Sequence, residues 1–119
     1  MANKKVLIVE DDQVIAYVHA YYAEQCGLEV TDCVESGEKA LESIERNKPD
    51  AVLMDIRIEG EISGIDTAKK IREQLDIPII FISGNSDTRT QSEIIDDGKT
   101  YFLVKPIRPD DLQALLGKI

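Results

Sequence analysis

Five short apolar runs, at residues 5–9, 28–34, 51–54, 78–82 and 101–104, alternate along the chain with segments whose apolar residues recur every three or four positions. The first class reads as buried strands and the second as amphipathic helices. Ile15, Val18, Tyr22 and Cys26 set the predicted core face of the first helix, Leu41 and Ile44 that of the second, and Ile65, Ala68, Ile71 and Leu75 that of the third. A segment over 86–97, with only Ile94 and Ile95 to bury, is the most weakly patterned helix, and a last one runs from Pro109 to about Gly117. Punctuation agrees with this division. Asp12 and Ser36 are placed as N-caps, Gly27 and Gly98 as stops, and Pro109 as a first helical residue. Asp110 and Asp111 then suit the positive end of the last helix dipole.

Strands alternating with helices imply an open α/β fold, with a parallel sheet covered on both faces. In such sheets ligands bind beyond the carboxyl ends of the strands, where the strand order reverses. For the flavodoxin-like order 2-1-3-4-5 that point lies between strands 1 and 3. The residues ending the runs therefore carry the functional information. The first run is followed by Glu10, Asp11 and Asp12, the third by Asp55, the fourth by Ser83 and the fifth by Lys105.

A length of 119 residues and a 43% hydrophobic content suit a single domain over 1–119 with one ordinary core. The formal net charge of −9 argues against nucleic-acid binding, which uses excess Lys and Arg, but is compatible with metal ions or basic partner surfaces. No stretch approaches the roughly 18 apolar residues of a membrane span, and the residues before Glu10 are too few for a signal-peptide core, so a cytoplasmic protein is expected. Cys26 and Cys33, seven apart, match no zinc or redox spacing and are expected to be reduced.

Three carboxylates on adjacent strand ends repel one another unless a cation joins them or their pKa values rise. Mg2+ suits such a site, because it takes oxygen ligands, keeps several waters and commonly combines one or two carboxylates with a phosphate oxygen. Lys105 can pair with Asp55 or with phosphate oxygens, and Ser83 adds a hydroxyl. A carboxylate nucleophile, a metal site, a Lys and a hydroxyl are the parts needed to hold a transferring phosphoryl group.

Taken together these residues resemble the receiver domain of two-component response regulators over essentially the whole chain. The matching stretches are Val-Leu-Ile-Val-Glu10-Asp11-Asp12, Leu-Met-Asp55-Ile, Phe-Ile-Ser83-Gly84 and Phe102-Leu-Val-Lys105-Pro106, in order and at the family's spacing. The resemblance implies a phosphoacceptor at Asp55, supplied by a histidine kinase or histidine phosphotransfer protein and acting on an output domain or separate target. It further implies Mg2+ held by Glu10, Asp11, Asp55 and the backbone carbonyl of Arg57, with Ser83 and Lys105 on the phosphoryl oxygens. A cis Lys105–Pro106 bond and a switch pairing Ser83 with Phe102 follow from it as well. Water would later hydrolyse the acyl phosphate, so the chain would not be a turnover enzyme on external substrates.

Several features depart from that pattern or carry a plainer reading. The segment from Arg57 to Gly64 is one residue longer than the commonest form, with Glu59 where Pro is usual and Gly64 one position later than the usual Gly. Phe102 stands where Tyr is more usual and has no hydroxyl to satisfy, so an inward state should be less costly without phosphate. The side chain of Arg57 is read as solvent-facing rather than site-facing. His19 has no second ligand at i+4 and is read as solvated or packed. Tyr17, Tyr21 and Tyr22 are read as core or partner-facing. A haloacid-dehalogenase-type phosphatase would need a second Asp where Arg57 stands, and an FMN-binding module a hydroxyl- and Gly-rich loop where Glu10-Asp11-Asp12 stand.

Overall fold

The computed structural model describes residues 4–56, 58, 60–83 and 99–116. Its elements are β1 (Lys5–Val9), α1 (Gln13–Gln25), β2 (Glu29–Val34), α2 (Gly37–Arg46), β3 (Ala51–Asp55), α3 (Gly64–Gln74), β4 (Ile79–Ser83), β5 (Thr100–Val104) and α4 (Pro109–Leu116). The sheet is parallel throughout, in the order β2-β1-β3-β4-β5. The expected order is therefore found. The helix expected over 86–97, and Gly98 after it, lie outside the described residues.

Alternation along the strands divides the core in two. Leu7, Val9, Val52, Met54, Ile79 and Phe81 pack under α2 and α3. Val6, Ile8, Leu53, Ile80 and Ile82 pack under α1 and α4. β3 and β4 are buried at every position, which explains their continuous apolar runs. At the edge, β2 is half exposed, and its register with β1 slips by one residue between Val6 and Leu7. Thr31, which the slip passes over, donates its hydroxyl to the carbonyl of Val6 at 3.3 Å.

Helix ends follow capping chemistry. The Asp12 carboxylate accepts from the N–H groups of Val14 and Ile15 (2.9 and 3.1 Å), and Ser36 Oγ from that of Lys39 (3.2 Å). Ser63 caps α3 by accepting from Asp66 N (3.0 Å), a cap the sequence reading lacked. Each is worth about 1 kcal/mol. Gly27 ends α1 at φ +86, and α4 begins at Pro109. The core face of α1 is rotated from the predicted one. Ala16, His19 and Ala23 are its buried residues, while Tyr22 and Cys26 pack only partly. Small alanines let the helix approach the sheet, and the larger side chains flank the contact. Tyr17 and Tyr21 are exposed.

At the pole where strands begin, the Arg72 guanidinium donates to the carbonyls of Ile77 and Lys99 (2.7 Å for Lys99) and to Thr100 Oγ1 (3.1 Å), tying α3 to the entries of β4 and β5. Two glycines allow close approach at the other pole. A Cβ on Gly64 would lie 2.7 and 2.9 Å from the carbonyl oxygens of Asp55 and Ile56, and one on Gly37 would lie 2.0 Å from Thr67 Oγ1. No helix among the described residues is long and apolar enough to cross a membrane.

Candidate functional site

Four strand ends converge at the carboxyl pole, held level by backbone bonds just past the strands: Glu10 N to Val34 O (2.9 Å), Ile56 N to Ile82 O (3.2 Å) and Lys105 N to Ser83 O (2.6 Å). Asp55 and Ser83 are the last residues of β3 and β4, one position further into the strands than the apolar runs suggested. Asp55 is 6% exposed, Ser83 1% and Glu10 3%, so these polar groups lie at the top of the core rather than in open solvent.

The Lys105 ammonium bridges two acids, 2.9 Å from Asp55 Oδ2 and 3.3 Å from Glu10 Oε1. One carboxylate oxygen each from Glu10, Asp11 and Asp55 lies within 4.8 Å of the other two. That spacing suits a small hard cation, since ligands about 2.1 Å from a common octahedral centre sit roughly 3 to 4 Å apart. The donor set, all carboxylate oxygen, fits Mg2+ by the same measure. The Lys105–Pro106 bond is cis, as the resemblance implied. Arg57, the expected source of a backbone carbonyl ligand, lies outside the described residues.

Both expected remedies for carboxylate repulsion are present. Lys105 supplies the cation, and Glu10 is pushed up to about 8 by burial first, then by hydrogen bonds with Asp55 and Asp11. Burial works against the charge on Lys105, but the hydrogen bond and charge of Asp55, with Glu10, outweigh it and hold the ammonium above its ordinary range. Asp12 turns away to cap α1, while its N–H donates to Glu10 Oε2 at 3.2 Å.

His19, on the inner face of α1, is 5% exposed and lowered to about 4, chiefly by burial and then by the charge of Lys105, with Asp55 opposing. Its effect on stability opposes that of Glu10. Native Glu10 keeps a proton the unfolded chain has released, so its contribution grows as pH falls from about 8 to 4.5. Native His19 refuses a proton the unfolded chain binds, so its contribution is full above pH 6.5 and is lost as pH falls towards about 4. In metal-free buffer His19→Leu should gain stability over the wild type by up to roughly 3 kcal/mol between pH 7 and pH 4. Chemical denaturation at several pH values measures the difference, and a pH-independent difference would contradict a buried neutral imidazole.

Ser83 and Phe102 share one face of the sheet. Phe102 pairs with Phe81 in register and packs, half-buried, against the core cluster under α2 and α3, while Tyr101 and Leu103 face the other cluster. The sequence reading did not identify Glu38, which reaches from α2 to the segment following β3. Its only sequence signal is an acid in a first helical turn.

Comparison with known proteins supplies an independent line. The sequence family described as the response regulator receiver domain matches residues 6–117. The alkaline phosphatase synthesis transcriptional regulatory protein PhoP of Bacillus subtilis is 29% identical over 118 residues, covering 98% of this chain and 48% of that protein. Transcriptional regulatory protein KdpE of Staphylococcus aureus is 31% identical over 117 residues, covering 98% and 50% respectively. The chain thus spans about half the length of these relatives. Among solved structures, the signal receiver domain of a modulated diguanylate cyclase from Desulfovibrio desulfuricans superposes with a TM-score of 0.87 at 29% identity, covering 98% of this chain and 92% of that one. A response regulator receiver domain from Methylobacillus flagellatus gives 0.82 at 27% identity, covering 98% of both.

Proposed function

Because this chain belongs to the response regulator receiver domain family of two-component systems, we propose that it accepts a phosphoryl group on Asp55 and carries it as a transient signal. The observation that supports this most directly is the Asp55 carboxylate at the end of β3, 2.9 Å from Lys105 and clustered with Glu10 and Asp11. The donor is the phosphoimidazole of a histidine kinase or histidine phosphotransfer protein, and the recipient of the signal is an output domain or a separate target. The net charge of −9 disfavours direct contact with nucleic acid, and the reading takes the phosphoryl exchange to occur in the cytoplasm.

An oxygen of Asp55 attacks phosphorus. The bond from phosphorus to the donor imidazole breaks, the imidazole leaves with the bonding pair and takes a proton, and an acyl phosphate forms. Lys105, released from its pairing with Asp55 as the carboxylate oxygen bonds phosphorus, balances the incoming phosphoryl oxygens, with the hydroxyl of Ser83 donating beside it. Glu10, Asp11 and Asp55, with the backbone carbonyl that the family resemblance assigns to Arg57, would hold Mg2+, which would supply positive charge against those oxygens. To serve as a ligand Glu10 would have to release the proton that its raised pKa favours in the metal-free chain. Attack of water on phosphorus later returns the carboxylate and inorganic phosphate. No external substrate is turned over.

The switch lies on the face shared by Ser83 and Phe102. Drawing Ser83 towards the phosphoryl group leaves room into which Phe102 turns, and with no hydroxyl to satisfy, Phe102 occupies that position in part before phosphorylation. Ring NOEs from Phe102 to the core under α2 and α3 are expected in the unphosphorylated protein, and a ring found only outward would contradict this.

Incubation with Mg2+ and a small phosphodonor, followed by intact-mass analysis, tests the central reading. One phosphoryl addition is expected, lost on standing and absent when Mg2+ is chelated. Turnover of unrelated phosphate esters without a stable adduct would favour a phosphatase instead.

A further inference from the structure

The segment after β3 is one residue longer than the commonest form, and the structure shows what receives it. At the first turn of α2, the Glu38 carboxylate reaches across to accept backbone N–H groups from Glu61 (2.7 Å) and Ile62 (3.2 Å). Gly60, at φ +116, turns the backbone onto that carboxylate so closely that a Cβ there would lie 2.5 Å from Glu38 Oε2. Beneath the turn, Gly37 brings the start of α2 against Ile62 and Thr67, and Thr67 donates to the Ser63 carbonyl at 2.7 Å. At the base, Gly64 closes the loop against the carbonyls of Asp55 and Ile56. Among the described residues, the loop is thus held at its foot against the end of β3 and at its crown by the Glu38 carboxylate, with Ile62 against the start of α2.

Resting on the phosphoacceptor reading above, we propose that Glu38 is a positioning residue for the acid site: by holding the Gly60–Ile62 crown to α2, it fixes the loop that leaves Asp55 and so prepares the site for Mg2+. It touches neither metal nor phosphoryl group. Glu38 stays ionised in the role, because its own N–H, then that of Glu61, hold its carboxyl below the usual range. A charged acceptor shared by two amides makes a stronger tie than a neutral one. The residue before Glu38 is also committed to the contact, since no side chain larger than hydrogen fits at Gly37.

Two measurements on wild type, Glu38→Ala and Glu38→Gln decide the matter. Amide hydrogen exchange of metal-free protein reads the tie itself, and Glu61 and Ile62 should exchange faster in Glu38→Ala. Calorimetric Mg2+ titration reads its consequence. Glu38→Ala should weaken Mg2+ about tenfold, the lower end for groups that support a metal site from outside. Glu38→Gln, whose amide oxygen still accepts, should recover part of the loss. Unchanged exchange at Glu61 and Ile62 would overturn the tie. Faster exchange with unchanged Mg2+ affinity would make Glu38 merely structural and overturn the positioning role. A wild-type chain that binds no Mg2+ would sink the phosphoacceptor reading instead, with the exchange comparison still deciding the tie.

Discussion

Asp55→Asn is expected to take up neither a phosphoryl group from a small donor nor beryllofluoride in its place, at any Mg2+ concentration, while keeping its fold. The amide is uncharged and is no nucleophile towards phosphorus, and neither neighbouring carboxylate, Glu10 or Asp11, stands at the end of β3. Glu10 is partly protonated and lies against Lys105, and Asp11 is attached to a different strand end. The substitution also removes one of the two groups that push Glu10 up by hydrogen bonding, so Glu10 should ionise at lower pH and become the principal partner of Lys105. Intact-mass spectra give the first result and circular dichroism the second. Phosphoryl addition to the Asp55→Asn variant would mean that the acceptor is elsewhere.

The largest loss of stability is expected from Gly64→Ala. The added Cβ would meet the carbonyl oxygens of Asp55 and Ile56 at 2.7 and 2.9 Å and the Cα of Ile56 at 3.1 Å. All three are backbone atoms at the end of a buried strand, so relief requires α3 or β3 to move, and overpacking of that kind costs about 3 kcal/mol. Gly27→Ala is the informative control. Gly27 has φ +86 but open space around its missing side chain, so only the backbone preference is lost, about 1 kcal/mol. Urea titration separates the two. Equal losses would show that the approach of α3 to β3 is looser than described. Because the displaced atoms adjoin Asp55, Gly64→Ala should also impair phosphoryl acceptance in the fraction that remains folded.

The strands were legible because a parallel strand buried on both faces has little choice of composition. β3 and β4 show only apolar residues until Asp55 and Ser83, and those exceptions marked the site. Glu10 was legible for the same reason. The core face of α1 was not, because closeness to the sheet comes from Ala16 and Ala23, whose small side chains carry little hydrophobic signal, and His19 between them looks polar in any pattern. Burial of His19 becomes visible only once the sheet is in place. Glu38 and Ser63 were hidden for another reason. Glu38 finds its partner amides 23 and 24 positions away, and nothing local to either segment records that distance. The extra residue in the loop was visible, but its accommodation by Gly60 and Glu38 was not.

The central strands are apolar and buried up to their final residues, and the reactive groups are stacked above that core like fittings on a finished frame. That arrangement separates two kinds of heritable change. Substitutions beneath the last strand residue alter whether the chain folds, whereas Glu38, the Gly60–Ile62 crown and Phe102 lie on the loop and sheet face to which the proposals above assign metal affinity and switching. Those proposed properties can therefore be varied one residue at a time without first disturbing the scaffold that carries them.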